Sequence, residues 1–212
     1  MPDIPQLLAD HCSFWNHLTV DEQRMLVANT HRQTFQPGEF VYGGTSDCLG
    51  VIFVLKGQLR TYLLSDKGKE VTLYHLFPQD MCILSASCVL ESIAFDVFID
   101  ARKKTDILLI DAHAFHRLSE HNVYVQNFGY RLATQRFSDV MWAMQQILFM
   151  GVDQRLAVFL LNSSEETPSD TPGALKTTHE QIAKSIGTAR EVVTRLLKQL
   201  ANEQIVALSR GG

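Results

Sequence analysis

What the chain lacks narrows its role before any motif is read. Its 212 residues hold no run of 18 or more apolar side chains, the length a helix needs to cross a bilayer. The opening MPDIPQLLADHC has no basic region followed by an apolar one, so it does not read as a secretory leader, and a cytoplasmic location is expected. Surplus positive charge is missing as well. Nineteen Lys and Arg against 23 Asp and Glu leave a net charge of −4, so any nucleic-acid contact must be local. No glycine-rich phosphate loop, HExxH pair or nucleophile elbow occurs, and no enzyme is expected. Cysteine is scarce. Cys12, Cys48, Cys82 and Cys88 would stay free in a reducing compartment unless they ligate a metal or act as redox switches. What is abundant is apolar material, 46% of the chain, which excludes a disordered protein and allows one large domain or two small ones.

Three textures follow one another. Near the start, Thr19 and Glu22 form a capping-box pattern ahead of Met25 and Leu26, a short helix. From about Gln33 to Asp111, short apolar runs alternate with turn signals. The runs are Val51–Leu55, Leu59–Leu64, Val71–Leu76 and Ile107–Ile110; the turns include Gln36-Pro37-Gly38, Lys56-Gly57, Ser65–Lys69 and Phe77–Asp80. Regularly spaced strands of this kind predict a sandwich or barrel. From about Asn122 to Met150 the period becomes helical. Tyr130, Ala133, Phe137, Val140, Met144 and Ile147 recur in steps of three and four, a heptad seam about three repeats long. A seam that long is expected to be a dimer interface; the plainer alternative packs it on its own β-domain. Gly151 then reads as a C-cap and Asp153 as a fresh N-cap, and the polar, Pro-containing stretch Asn162–Gly173 as an exposed loop.

The most informative segment is Thr177–Val206. Thr178 with Gln181 makes one capping box, and Ile182, Ala183 and Ile186 form the apolar side of a first helix. Gly187 suits a left-handed C-cap. Thr188 with Glu191 reads as a second capping box, opening a helix whose buried stripe is Val192, Leu196, Leu197 and Leu200. Its other face carries Arg190, Glu191, Thr194, Arg195 and Lys198. A short helix, a glycine turn and an amphipathic second helix is the arrangement that enters a major groove. Arginine can bind guanine O6 and N7 together, and glutamate can accept from cytosine N4. From Lys176 onward six basic residues (Lys176, Lys184, Arg190, Arg195, Lys198, Arg210) stand against three acidic ones (Glu180, Glu191, Glu203), the local basicity that phosphate attraction requires. The expected DNA-contacting set is Thr178, His179, Thr188, Arg190, Glu191, Thr194, Arg195 and Lys198. The competing reading makes Arg190, Glu191 and Arg195 a solvated ion-pair face on an ordinary surface helix.

At these residues the chain resembles the catabolite-activator/fumarate-nitrate-regulator (CRP/FNR) superfamily. The likeness is strongest in GTAREVVTRLLKQLANEQIV, where members carry Arg-Glu and a second Arg four residues after the Glu, here Arg190, Glu191 and Arg195. The run VIFVLKGQLRTYLLSDKGKEVTLYHLFPQD looks like the family's cyclic-nucleotide-binding-type roll, and ILLIDAHAFHRL like its closing strand and following helix. The resemblance implies an α+β chain with a double-stranded β-helix (jelly-roll) sensor over residues 1–120, a dimerisation helix over 121–150 and a winged helix-turn-helix over 151–212. It implies a homodimer on near-palindromic double-stranded DNA, with half-sites about one helical turn apart. RNA polymerase is a further expected partner.

Departures from the family pattern bear on the signal. Cyclic-AMP-binding members place Gly-Glu shortly after the segment matching LFPQD, and Arg-Ser about a dozen residues on. Here those positions read Ile83-Leu84 and Phe95-Asp96. An apolar pair cannot bind a ribose edge, and a carboxylate repels a phosphate, so the usual cyclic-nucleotide binding is not expected. Members with an N-terminal iron–sulfur cluster carry a cysteine group there; this chain has Cys12 alone, so that cluster type is not expected either. The family's wing continues through another strand beyond the point where Ser209-Arg210-Gly211-Gly212 stands, so a short or truncated wing is expected.

Cys82, Leu84, Ser85, Ala86, Ser87 and Cys88 occupy the place of the phosphate-binding cassette and are the effector-site candidates. Were the piece helical, Cys82 and Cys88 would not share a face. Two buried thiols are the plain reading; a thiol switch, haem, an iron–sulfur cluster or a small organic effector are the alternatives. His75, His113, His116 and His121 are the histidines open to haem or metal. Two other function classes compete with a DNA-binding regulator. One is a cupin-like metal or ligand site in the β-roll, for which His75 is the only histidine in the recognised strands. The other is a cyclic-nucleotide module acting on a partner protein, which would not need Arg190 and Arg195 on an exposed helix.

Overall fold

The computed structural model describes residues 3–43, 49–66, 68–85, 97–166 and 174–209. Helix α1 (Ile4–His11) is capped by the Asp3 carboxylate, which accepts from the Gln6 amide. A 3-10 turn (Trp15–His17) leads to α2 (Val20–Ala28). The Thr19–Glu22 capping box is formed in both directions: the Glu22 amide donates to Thr19 Oγ1 at 3.3 Å, and the Thr19 amide to Glu22 Oε2 at 2.7 Å.

Among the described residues, eight strands then make two four-stranded sheets. β1 (Thr30–Phe35), β8 (Thr105–Asp111), β3 (Gly50–Lys56) and β6 (Met81–Cys82) form one, in the order β1-β8-β3-β6. β2 (Phe40–Gly43), β7 (Phe98–Ala101), β4 (Leu59–Leu64) and β5 (Glu70–Leu76) form the other, in the order β2-β7-β4-β5. These are the sheets of a jelly roll. Four of the strands coincide with the apolar runs of the sequence. β1, β2, β6 and β7 are short or polar and carry no such run. β1 also corrects the histidine inventory: His31 lies on this strand, exposed, so His75 is not the only strand histidine.

Within the first sheet, β3 and β8 are buried on both faces, which explains why they read as unbroken apolar runs instead of alternating ones. Val51, Phe53, Leu108 and Ile110 point to a cluster made with Leu7, Leu8, Phe14 and Leu26 of the N-terminal segment and with Phe115 and Leu118 of α3 (Ala112–His121). Ile52, Val54, Ile107 and Leu109, the alternate residues, are buried on the other side.

The second sheet contains an internal ion pair. Arg60 and Asp100 sit opposite each other in the β4·β7 register. Arg60 donates through Nε at 3.1 Å and Nη2 at 2.5 Å to the two Asp100 oxygens, with side chains 3% and 14% exposed. The guanidinium carbon also lies 4.1 Å from the Tyr62 ring centroid. His75 on β5 is held neutral. Burial first, then the Arg102 and Arg60 charges, lower its pKa to about 4. A histidine depressed in the folded state is protonated first in the unfolded chain. Its contribution to stability is therefore complete above pH 6.5 and falls as the pH drops toward 4. Urea unfolding at pH 7 and pH 4.5 is expected to show the wild type losing about 2–3 kcal/mol more than His75→Gln between those pH values. Parallel losses in the two proteins would refute this.

The long helix α4 runs without interruption from Val123 to Phe149, and α5 from Val152 to Glu166. The chain divides into two compact bodies, residues 1–62 with 74–140 and residues 63–73 with 141–212. At the α4–α5 junction, Asp153 does not cap α5 but lies inside its first turn. Gly151 takes the capping place. Its amide donates to Gln154 Oε1 at 3.1 Å and its carbonyl accepts from the Arg155 amide at 3.0 Å, so no side chain at 153 is needed. Arg155 Nη1 donates to the carbonyls of Ile147 (3.3 Å) and Met150 (3.1 Å), groups that the end of a helix leaves without partners. No helix among the described residues is long and apolar enough to cross a membrane.

Candidate nucleic-acid interface

The two helices of the C-terminal motif are α6 (His179–Ile186) and α7 (Arg190–Asn202). Thr178 caps α6 as its sequence requires, with the Gln181 side chain returning the bond to the Thr178 amide at 2.9 Å. Gly187 stands at φ 68°, ψ 43°, left-handed, a conformation that costs a side-chain-bearing residue far more than glycine. Thr188 does not cap α7. Its amide is drawn back to the Ala183 carbonyl at 3.0 Å, as part of the turn, so the next helix opens one residue later, with Ala189 at the cap and no side-chain bond there. The capping box with Glu191 is therefore absent, and α7 begins at Arg190.

The helices pack with α5 around Leu156, Ile182, Ala183, Ile186, Val193 and Leu197, flanked by Leu196 and Leu200. Val193, not Val192, is the fully buried valine, one helical turn before the buried Leu197. With that face inside, Arg190, Glu191, Arg195 and Lys198 are exposed and Thr194 half-buried. Together with Gln199 and Asn202, which the sequence reading missed, they line a shallow depression along α7. None of Arg190, Glu191, Arg195 and Lys198 has an ion-pair partner among the described residues. Glu191 and Arg195, four apart on the helix, do not pair with each other. Lys184 is different. It pairs with Glu70 of the hairpin that shares its body, Nζ to Oε1 at 2.8 Å, and so adds little free charge. His179, the first residue of α6, contacts Thr194 of α7, Nδ1 to Oγ1 at 2.9 Å.

On α4, Tyr130 and Phe137 are 58% and 64% exposed, Met144 and Ile147 are exposed, and Ala133 and Val140 are half-buried. The apolar seam is thus largely uncovered in the single chain. The opposite edge of the helix supplies Leu132 and Arg136, which are buried.

Among the effector-site candidates, Cys82 lies on strand β6, not on a helix. Its thiol is fully buried, 3.5 Å from the Tyr74 hydroxyl, and burial raises its pKa. Burial pushes Cys12 up to about 12. Neither has the exposed, electropositive setting of a reactive thiol. Ser85 is a structural residue, donating to the Gly50 carbonyl at 2.6 Å, and Ile83 and Leu84 turn inward. Ala86, Ser87 and Cys88, with Cys48, Phe95 and Asp96, lie outside the described residues. Among the described residues no three His, Cys, Asp or Glu gather in a way that could hold a metal ion.

Residues 154–212 match the Crp-like helix-turn-helix domain. A crystal structure described as a transcriptional regulator of the CRP/FNR family, from Eubacterium rectale, superposes with a TM-score of 0.90 at 42% identity, over 95% of this chain and 92% of that one. The transcriptional activator protein Anr of Pseudomonas aeruginosa is 25% identical over 90% of this chain and 79% of its own length. The cAMP-activated global transcriptional regulator CRP of Pasteurella multocida is 24% identical over 73% and 75%.

Proposed function

The chain belongs to the CRP/FNR family of DNA-binding transcription regulators, and from that premise we propose that it acts as a homodimer, docking one α7 helix per subunit in successive major grooves of a near-palindromic site. The observation that carries this is the exposed row Arg190, Glu191, Arg195 and Lys198, charged side chains without ion-pair partners among the described residues, on a helix whose other face is packed. Arg190 and Glu191 open the helix, the end that reaches base edges, and Lys198 lies nearer its C-terminal end, suited to phosphate. Thr178, His179 and Thr188 flank the groove as backbone contacts. Tyr130, Ala133, Phe137, Val140, Met144 and Ile147 form the seam between subunits.

Residues 1–120 act as the sensor, 121–150 as the coupling helix and 151–212 as the reader. The signal is not cyclic AMP bound in the usual way, since Ile83 and Leu84 are buried apolar side chains at the position of the ribose-binding Gly-Glu. A bound signal must favour one arrangement of the reader helices over another, or no population shifts. RNA polymerase is the partner of the assembled complex, and no catalytic role is assigned. Mass spectrometry and absorbance spectroscopy of natively purified protein would identify what the roll carries.

Arg195→Ala tests the reader directly. On a duplex chosen by in vitro selection, fluorescence anisotropy is expected to show a loss of about 1–3 kcal/mol, with relaxed preference at one base position. Arg195→Lys should not restore that preference, because lysine lacks the two-pronged donor. Unchanged affinity and selectivity in Arg195→Ala would remove Arg195 from the interface.

A further inference from the structure

The contact between His179 and Thr194 joins the two helices of the reader, and its chemistry has one consistent solution. Thr194 has a single hydroxyl proton, which it donates to the Arg190 carbonyl at 2.9 Å. The same oxygen lies 2.9 Å from His179 Nδ1. Both bonds exist together only when Nδ1 carries the hydrogen and donates to the hydroxyl oxygen. A neutral imidazole protonated at Nδ1 has a bare lone pair at Nε2. Nε2 has no partner among the described residues, and the ring is half-exposed at the start of α6.

The first helix of such a motif crosses the DNA backbone. A bare ring nitrogen there would meet phosphate oxygens with a lone pair; a protonated one would meet them with a charged N–H. We propose that His179 is a proton-dependent contact to the duplex backbone, held in the non-donating tautomer by Thr194 until the ring is protonated. This deepens the DNA-binding reading above and rests on it. The charged residues on α6 and on the elements of its body are Glu180 and Lys184 on α6, Arg190, Glu191, Arg195 and Lys198 on α7, Asp153, Arg155, Glu165 and Glu166 on α5, Lys176 before α6, and Asp66, Lys69 and Glu70 on the hairpin, Glu70 being engaged with Lys184. His179 forms no ion pair with the described ones among them.

Phosphate contacts do not depend on sequence, so a mixed-sequence duplex of about 30 base pairs suffices as the probe. Binding of the full chain would be measured against salt at pH 6 and pH 8, across the range where imidazoles change charge. The wild type should bind more tightly at pH 6, with a salt slope steeper by about 1 for each protonated contact. His179→Asn keeps a donor toward Thr194 but cannot be protonated, so its slopes at the two pH values should converge. Thr194→Val removes the acceptor that fixes the tautomer. Its neutral ring can then place the hydrogen on Nε2, and binding at pH 8 should strengthen relative to wild type. A merely structural role for the contact would predict weaker binding in both variants with the pH response retained.

Circular dichroism confirms that each variant is folded. An equal pH response in wild type and His179→Asn would overturn the proposal, as would Thr194→Val binding like wild type at pH 8. If the wild type binds no duplex at either pH, the DNA reading itself fails, and this inference with it.

Discussion

Phe137→Glu is expected to yield a monomer that has lost at least about a hundredfold in affinity for a two-half-site duplex. Phe137 is the most exposed residue of the α4 seam, and in the proposed two-fold parallel pair its place in the heptad would set it against its own symmetry mate. Each buried phenylalanine contributes about 1.5–3 kcal/mol, and the two-fold axis counts each substitution twice. Two carboxylates would also meet in a desolvated seam, where an unpaired charge costs several kcal/mol more. Sedimentation velocity reads the assembly, and anisotropy on full and half-site duplexes reads the function. The variant should bind a half-site about as weakly as a full one, since it has lost only the linkage between two readers. Phe137→Leu, apolar and close in size, should remain a dimer. A dimeric Phe137→Glu would place the subunit contact elsewhere.

Asp100→Ala carries the largest expected loss of fold stability, about 3–5 kcal/mol. The substitution leaves the Arg60 guanidinium almost fully buried, with neither carboxylate oxygen to receive Nε and Nη2. The Tyr62 ring face beside the guanidinium compensates in part. Replacing both partners with leucine removes the uncompensated charge, so Arg60→Leu/Asp100→Leu should recover most of the loss. Urea unfolding with an unchanged m-value provides the measurement. Equal destabilisation in the single and double variants would mean that packing, not charge, sets the role of the pair.

Legibility differed between the parts for identifiable reasons. The reader was legible because its signals are local. A capping box at Thr178, a glycine at the left-handed turn and a stripe at helical spacing all act within a few residues. The misplaced start of α7 shows the limit of that logic. Thr188 and Glu191 satisfy the capping pattern, yet the preceding turn claims the Thr188 amide, and no single-helix rule sees that competition. In the roll, β3 and β8 announced themselves because both their faces are covered. β1 did not, since five of its six residues are polar or charged (Thr30–Thr34, before Phe35) and its partner in the sheet is far away in sequence. The Arg60–Asp100 pair is likewise a product of register. Forty residues separate the two, and only the β4·β7 alignment brings them face to face. The bases for the effector candidates were positional; the described ones, Cys82, Leu84 and Ser85, are buried, and the hydrogen bonds of Cys82 to Tyr74 and of Ser85 to Gly50 depend on contacts that no local pattern shows.

Arg155 has a mechanical consequence. By gripping the Ile147 and Met150 carbonyls, its side chain ties the first turn of α5 to the last turn of α4 across the link Met150-Gly151. The next residue, Leu156, is wholly buried in the core shared with α6 and α7. A twist of the last turn of α4 is therefore expected to be handed on to that core, because carbonyl grips as well as the chain itself bind the two helices.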